Sequence, residues 1–193
     1  MSALAAATVA SLVACSGGGA ADNNSSPSSS APDASSSSAD PSLKVPAPLP
    51  TQELLSDPCS ALTDAQLADI GLAPPGKVSQ GPPDLCGWSA STIPENRVNV
   101  GAVPQNKGGI SDIYDQKAQQ AYFQPVTVNG YPGVLAAADD LRSSGTCSLW
   151  VGITDQLAFT VVTMITTGQN KPKTCESAQK IGAAVVTHLK GAA

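Results

Sequence analysis

Five cysteines and a single histidine are the residues of this 193-residue chain best suited to covalent or metal chemistry. Cys15 stands alone at the end of an apolar run, whereas Cys59, Cys86, Cys147 and Cys175 are spread through the rest. An even remainder in an exported chain reads as two disulfides. Zinc needs several ligands close together in space, usually paired at short spacing. No two of the four cysteines are close in sequence, and the only histidine, His188, lies elsewhere. Nucleophilic catalysis needs Ser, Cys or Thr beside a base. His188 falls near Ala184 and Val185 at the margin of an apolar helical face, the position of a partly exposed surface residue. The adjacent carboxylates Asp139 and Asp140 precede Leu141-Arg142-Ser143-Ser144-Gly145, a turn in which neighbouring side chains point apart into water. Lys107-Gly108-Gly109 lacks the spacing of a phosphate-binding loop. The sequence therefore predicts no catalytic constellation, no metal and no cofactor.

Cys15 is different. Ala3 to Ala14 contains only Ala, Leu, Val, Thr and Ser, the length of a secretory h-region and too short to span a bilayer. Leu12-Val13-Ala14-Cys15 resembles a bacterial lipobox, in which the cysteine thiol is alkylated with diacylglycerol and becomes the mature N-terminus. Residues 1–15 are thus expected to be a signal peptide and Cys15 the lipidated residue. A signal normally opens with positive charge, and the first Lys or Arg is Lys44. The expectation is a start upstream of Met1, or a weak signal.

Between Ser16 and Pro50 the only large apolar residues are Leu43, Val45 and Leu49. So little burial is not expected to offset the entropy of ordering the backbone, and residues 16–50 are read as a disordered Ser/Pro/Ala-rich tether. As a flexible coil of about 35 residues it would span roughly 30–35 Å. Residues 51–193 are expected to form one domain with its own core. The net charge of −5 and the lack of any basic cluster beyond Lys171-Pro172-Lys173 argue against nucleic acid as a partner.

Within 51–193 the local signals are well punctuated. Asp57 precedes Pro58 at a helical first turn, and Thr63-Asp64-Ala65-Gln66 is a capping box flanked by Leu62 and Leu67. Gly71 is the stop, and a Pro/Gly loop from Pro74 to Pro83 follows. Cys86 and Trp88 alternate with Gly87 and Ser89, and Val98, Val100 and Ala102 alternate along Arg97–Val103, predicting two strands. Ile110, Ile113, Tyr114, Ala118, Ala121 and Tyr122 recur at helical spacing, predicting a helix over 110–122. Asn129-Gly130 turns the chain between Val126–Val128 and Val134–Ala138. Thr146–Ile153 and Leu157–Thr166 read as a hairpin around Asp155-Gln156, the second strand β-branched and central. Thr174 is placed to cap a last helix with Ala178, Ile181, Val185 and Leu189 on one face. The order predicts an α+β fold: an antiparallel sheet flanked by about three helices.

Four cysteines allow three connectivities. Pairing each helix start with its nearest strand favours Cys59–Cys86 and Cys147–Cys175, each loop worth roughly 3 kcal/mol in the chain-entropy model. Trp88 shares a face with Cys86 and is expected in the core. Trp150 has the opposite parity from Cys147, Leu149, Val151 and Ile153. Either the 110–122 helix covers it, or Trp150 with Tyr114 or Tyr122 lines a groove for a glycan, lipid or protein partner.

Asp57-Pro58-Cys59, Leu62-Thr63-Asp64, Ile70-Gly71-Leu72 and Cys86-Gly87-Trp88-Ser89 resemble a family of actinobacterial lipoproteins, domain of unknown function 3558. Asn129-Gly130-Tyr131-Pro132, Cys147-Ser148-Leu149-Trp150-Val151 and Cys175 with Ala178 continue the pattern in order. The resemblance implies a cell-surface lipoprotein with a two-disulfide α+β domain and implies no reaction. More distantly, the arrangement is similar to extracellular sensor domains of mycobacterial receptor kinases. The leading expectation is a non-catalytic lipoprotein at the outer face of the cytoplasmic membrane, held there by its lipid and binding an envelope ligand or protein. An enzyme of envelope metabolism with an unrecognised site, or a structural subunit of a membrane complex, are the alternatives.

Overall fold

The computed structural model describes residues 40–192. Cys15 and residues 16–39 of the expected tether lie outside them. Among the described residues four α-helices, α1 (Gln52–Ser56), α2 (Asp64–Ile70), α3 (Ile110–Asp115) and α4 (Thr174–Gly191), accompany seven strands. These are β1 (Leu72–Ser79), β2 (Leu85–Ala90), β3 (Arg97–Ala102), β4 (Tyr122–Val128), β5 (Tyr131–Ala137), β6 (Thr146–Thr154) and β7 (Leu157–Met164). All pair antiparallel in one sheet of order β1-β2-β3-β7-β6-β5-β4. The α+β expectation holds, with β7 in the centre.

The capping signals are realised. Gln66 N donates to Thr63 Oγ1 at 3.3 Å and Thr63 N donates to Gln66 Oε1 at 3.0 Å, closing the box at the start of α2. Gly71 ends that helix in the left-handed region. Asp57 accepts from Cys59 N at 2.8 Å, but Pro58–Ala61 is a single 3-10 turn. Asn129 and Gly130 both take positive φ, the geometry of the tight hairpin turn between β4 and β5. Asn129 Nδ2 also donates to Ala183 O and Thr187 Oγ1, fastening that hairpin to α4.

Four expectations fail. Residues 74–83 are not simply a loop, because β1 runs through Pro74 and Pro75. Its position explains this: an edge strand needs only half of its N–H groups, and a register irregularity between Ala73 and Lys77 takes up the prolines. The helix over 110–122 stops at Asp115, a 3-10 turn covers Lys117–Gln119, and Tyr122 opens β4. Seven residue pairs from Tyr122↔Ala137 to Val128↔Tyr131 outweigh a local periodicity that short. Thr174 does not cap α4. It is buried, its hydroxyl donating to Gly145 O at 2.7 Å and sharing a hydrogen bond with Thr163 Oγ1 at 2.8 Å.

The fourth correction concerns the tether. Residues 40–50, expected to be disordered, pack on the domain. Leu43, Val45 and Leu49 are only 7%, 4% and 7% exposed. Leu49 N donates to Ile153 O at 2.9 Å, Val45 N to Asp155 Oδ1 at 3.2 Å, and Tyr131 Oη to Ala47 O at 2.8 Å. Leu43 lies on one side of the sheet while Val45 and Leu49 join the core of the other. Three well-placed aliphatic side chains suffice for what composition averaged over 35 residues concealed.

One sheet face is sealed. Ala178, Ile181, Val185, Val186 and Leu189 of α4 pack against Leu149, Val151 and Val161, with Cys86 and Trp88 in the same core. The two disulfides are Cys59–Cys86 and Cys147–Cys175, as the helix-to-strand pairing anticipates.

Candidate functional site: the open sheet face

The other face is covered only in part. Ile110 and Ile113 of α3, with Leu43, sit on Val134 and Ala136 at the β5–β6 end. Beyond them the strands present their second set of side chains to solvent. The register lines up Lys77, Gly87, Asn99, Val162 and Ser148 in one row. Ser89, Arg97, Met164 and Thr146 form the next. Val162, Met164, Ser148 and Thr146 are all half-buried among the described residues.

Trp150 is on this face, as its parity requires, opposite Thr160 and Val134. Its indole N–H donates to Ala136 O at 3.0 Å, which fixes the ring, and the side chain remains half-buried. It forms part of a depression of about 210 Å³ whose walls include Pro82, Pro83, Gln105, Asn106, Gln116 and Gln120. Four carboxamides and one indole surround the space. None of the residues lining it carries an ionisable group.

The three aromatic candidates separate. Tyr114 belongs to the apolar cluster of Trp150 but points along it, its hydroxyl donating to Gly133 O at 3.2 Å. Burial, then the Asp40 carboxylate, pushes its phenol above the ordinary tyrosine range, so it stays protonated and a donor. Tyr122 is on the sealed face. It is buried, accepts a hydrogen bond from Ser148 N at 3.1 Å, and carries the Arg142 guanidinium over its ring at 4.3 Å. Entering β4 one residue before Phe123 gives Tyr122 the wrong parity. Phe123 takes the place beside Tyr114, edge to face at 4.9 Å.

The other chemical candidates are placed plainly. His188 is half-buried on α4. Asp139 and Asp140 are both exposed, and Asp140 forms a bidentate pair with Arg142, Oδ1 to Nε at 2.8 Å and Oδ2 to Nη2 at 2.7 Å. Those hydrogen bonds hold the Asp140 carboxyl down to about 2. Lys107-Gly108-Gly109 is the turn into α3, Gly108 N donating to Asp112 Oδ2 at 2.9 Å. Among the described residues there is no group of three or more His, Cys, Asp or Glu able to hold a metal. No helix among them is long and apolar enough to cross a membrane.

Gln105, Asn106, Gln116 and Gln120 were not legible as a group, because two come from the β3–α3 loop and two from the turns after α3. Lys77 was hidden by the loop expected over 74–83, whereas the alternation that buries Val98 and Val100 already put Arg97 and Asn99 on the opposite face.

Fold and site together define a disulfide-stapled α+β domain with one sealed and one partly open sheet face. The chain belongs to the family described as Protein of unknown function (DUF3558), whose model matches residues 10–188. No curated protein and no solved structure matches the chain.

Proposed function

We propose that this protein is a non-catalytic binding module of the cell envelope, and that its ligand is a neutral glycan seated on Trp150. The observation that carries the reading is the half-buried indole ringed by Gln105, Asn106, Gln116 and Gln120 with no charged group in the depression. An indole offers a flat apolar platform, and carboxamides both donate and accept. That combination suits a sugar ring, which has an apolar face and a rim of hydroxyls. The hydrogen bond from the indole to Ala136 O fixes the platform before any ligand arrives, which lowers the entropy cost of binding.

The lipobox-like segment supports an anchor at Cys15 on the outer face of the cytoplasmic membrane. The likeness to actinobacterial lipoproteins, and more distantly to mycobacterial receptor-kinase sensor domains, points to the same compartment and to ligand binding there. A Cys15→Ala form is expected to leave the membrane fraction; retention after a high-salt wash would contradict the anchor. For the ligand, calorimetric titration of the full chain with soluble oligosaccharides released from the envelope should give saturable binding. Trp150→Ala should weaken it about tenfold or more, and Gln116→Ala by less. Equal affinity in the Trp150→Ala protein, or no binding of any fraction, would overturn the reading.

A further inference from the structure

The opposite end of the open face has a different chemistry. A depression of about 440 Å³ lies over β1, β2 and β3, with Lys77, Ser79, Ser89, Arg97 and Asn99 around it and the Pro74–Pro75 bulge as one wall. Both cations are exposed, and Ser89 and Asn99 are half-buried. No carboxylate lines it. The ion pair found among the described residues is Arg142–Asp140, so no carboxylate among those residues lies within bridging distance of Lys77 or Arg97. In a chain of net charge −5, two cations lining one hollow with no carboxylate in its described lining make a local positive field that draws anions.

The register makes the two converge. Lys77, Gly87 and Asn99 are directly opposite one another on three adjacent strands, and Arg97 precedes Asn99 by two residues on the same face. At the ordinary spacing of strands, the backbones of Lys77 and Arg97 are roughly 12 Å apart, and both residues line the same depression. Gly87 between them makes room for the Asn99 side chain. A Cβ there would lie 2.7 Å from Asn99 Oδ1, so the Asn99 amide occupies the space above Gly87.

We propose that Lys77 and Arg97, with Asn99 and Ser89, form a binding site for a phosphate-bearing group. A carboxylate has two oxygens, which the Arg97 fork alone can satisfy, leaving Lys77 unused. A phosphate presents a third and fourth oxygen to an ammonium and to hydroxyl or amide donors on the other side. The site shares no lining residue with the Trp150 depression and does not depend on it.

The test is amide chemical-shift mapping on the ¹⁵N-labelled full chain at constant ionic strength. The probes are inorganic phosphate, glycerol 1-phosphate, acetate, and phosphatidylcholine vesicles with and without phosphatidylglycerol. Saturable shifts at Gly87, Ser89, Arg97 and Asn99 are expected with the phosphates and not with acetate. Arg97→Gln should weaken binding about tenfold, and Arg97→Lys by less, because it keeps the charge and loses the fork. Lys77→Gln should weaken it severalfold, and Trp150→Phe not at all. Response to glycerol 1-phosphate alone identifies a soluble phosphate ester as the source. An added response confined to phosphatidylglycerol vesicles identifies a lipid head group. Lys77 and Arg97 both lie on the surface, and an unchanged melting temperature of their variants shows that a lost response is not lost folding. Equal shifts with acetate, shifts that survive in Arg97→Gln, or no saturable shift with any phosphate would overturn the proposal.

Discussion

The sheet's two faces are built from alternate residues of the same strands, yet they do opposite work. Along β7, Val161 and Thr163 turn inward, fully buried, while Val162 and Met164 turn outward and are only half-buried. The inward set meets α4 and both disulfides, whereas the outward set is buried at Ala158 and Thr160 and reaches water only from Val162 onward. The two faces divide the labour. Apolar burial and covalent staples are concentrated on one side, so the other is free to display an indole, carboxamides and cations at little cost to stability.

The sharpest way to break that comparison is to remove the staples. Each disulfide spans a separation of 27 or 28 residues, so losing both returns roughly 6 kcal/mol of loop entropy to the unfolded chain if the effects add. Against a total of about 5–15 kcal/mol for a domain, the reduced protein should be marginal near body temperature. Thermal melting with and without reductant checks this, and a cooperative melt unshifted by reductant would show that the core alone carries the fold.

A smaller effect is expected where the chain enters the domain. Leu49→Ala should cost about 2–5 kcal/mol, and deletion of residues 40–50 at least as much, read as a lower denaturation midpoint. A chain trimmed to Thr51 that melts like the full one would mean that Leu43, Val45 and Leu49 do not contribute what their burial requires.

The smallest and most pointed comparison uses neighbours on one strand. Val161→Ala should cost about 2 kcal/mol and Val162→Ala under about 1 kcal/mol, because only the first opens a cavity. Equal losses measured by urea unfolding would mean that the two faces are sealed alike.

Much of this asymmetry was legible before any coordinates. Alternation assigned Cys86 and Trp88 to one face and Trp150 to the other, since side-chain direction in a strand has a period of exactly two. Both disulfides followed from helix starts lying next to strands in the chain order. What failed depended on distant context. Whether proline tolerates a strand is decided by its lying at an edge, and whether 110–122 remains helical is decided by β5 being free to pair with Tyr122–Val128. The Trp150 depression was half legible. Trp150 itself could be named, but Tyr122 was assigned from a helical period that ends seven residues early, and the carboxamides come together only once the loop after β3 folds against α3.

On the proposed function, the open face and not the sealed one meets the ligand. The molecule carries one tryptophan on each, so the two indole N–H resonances report both faces in a single spectrum. On adding the envelope oligosaccharides, the Trp150 signal should shift saturably, together with Gln105, Asn106, Gln116 and Gln120, while the Trp88 signal stays still. A response at Trp88 and along α4 with Trp150 silent would contradict it.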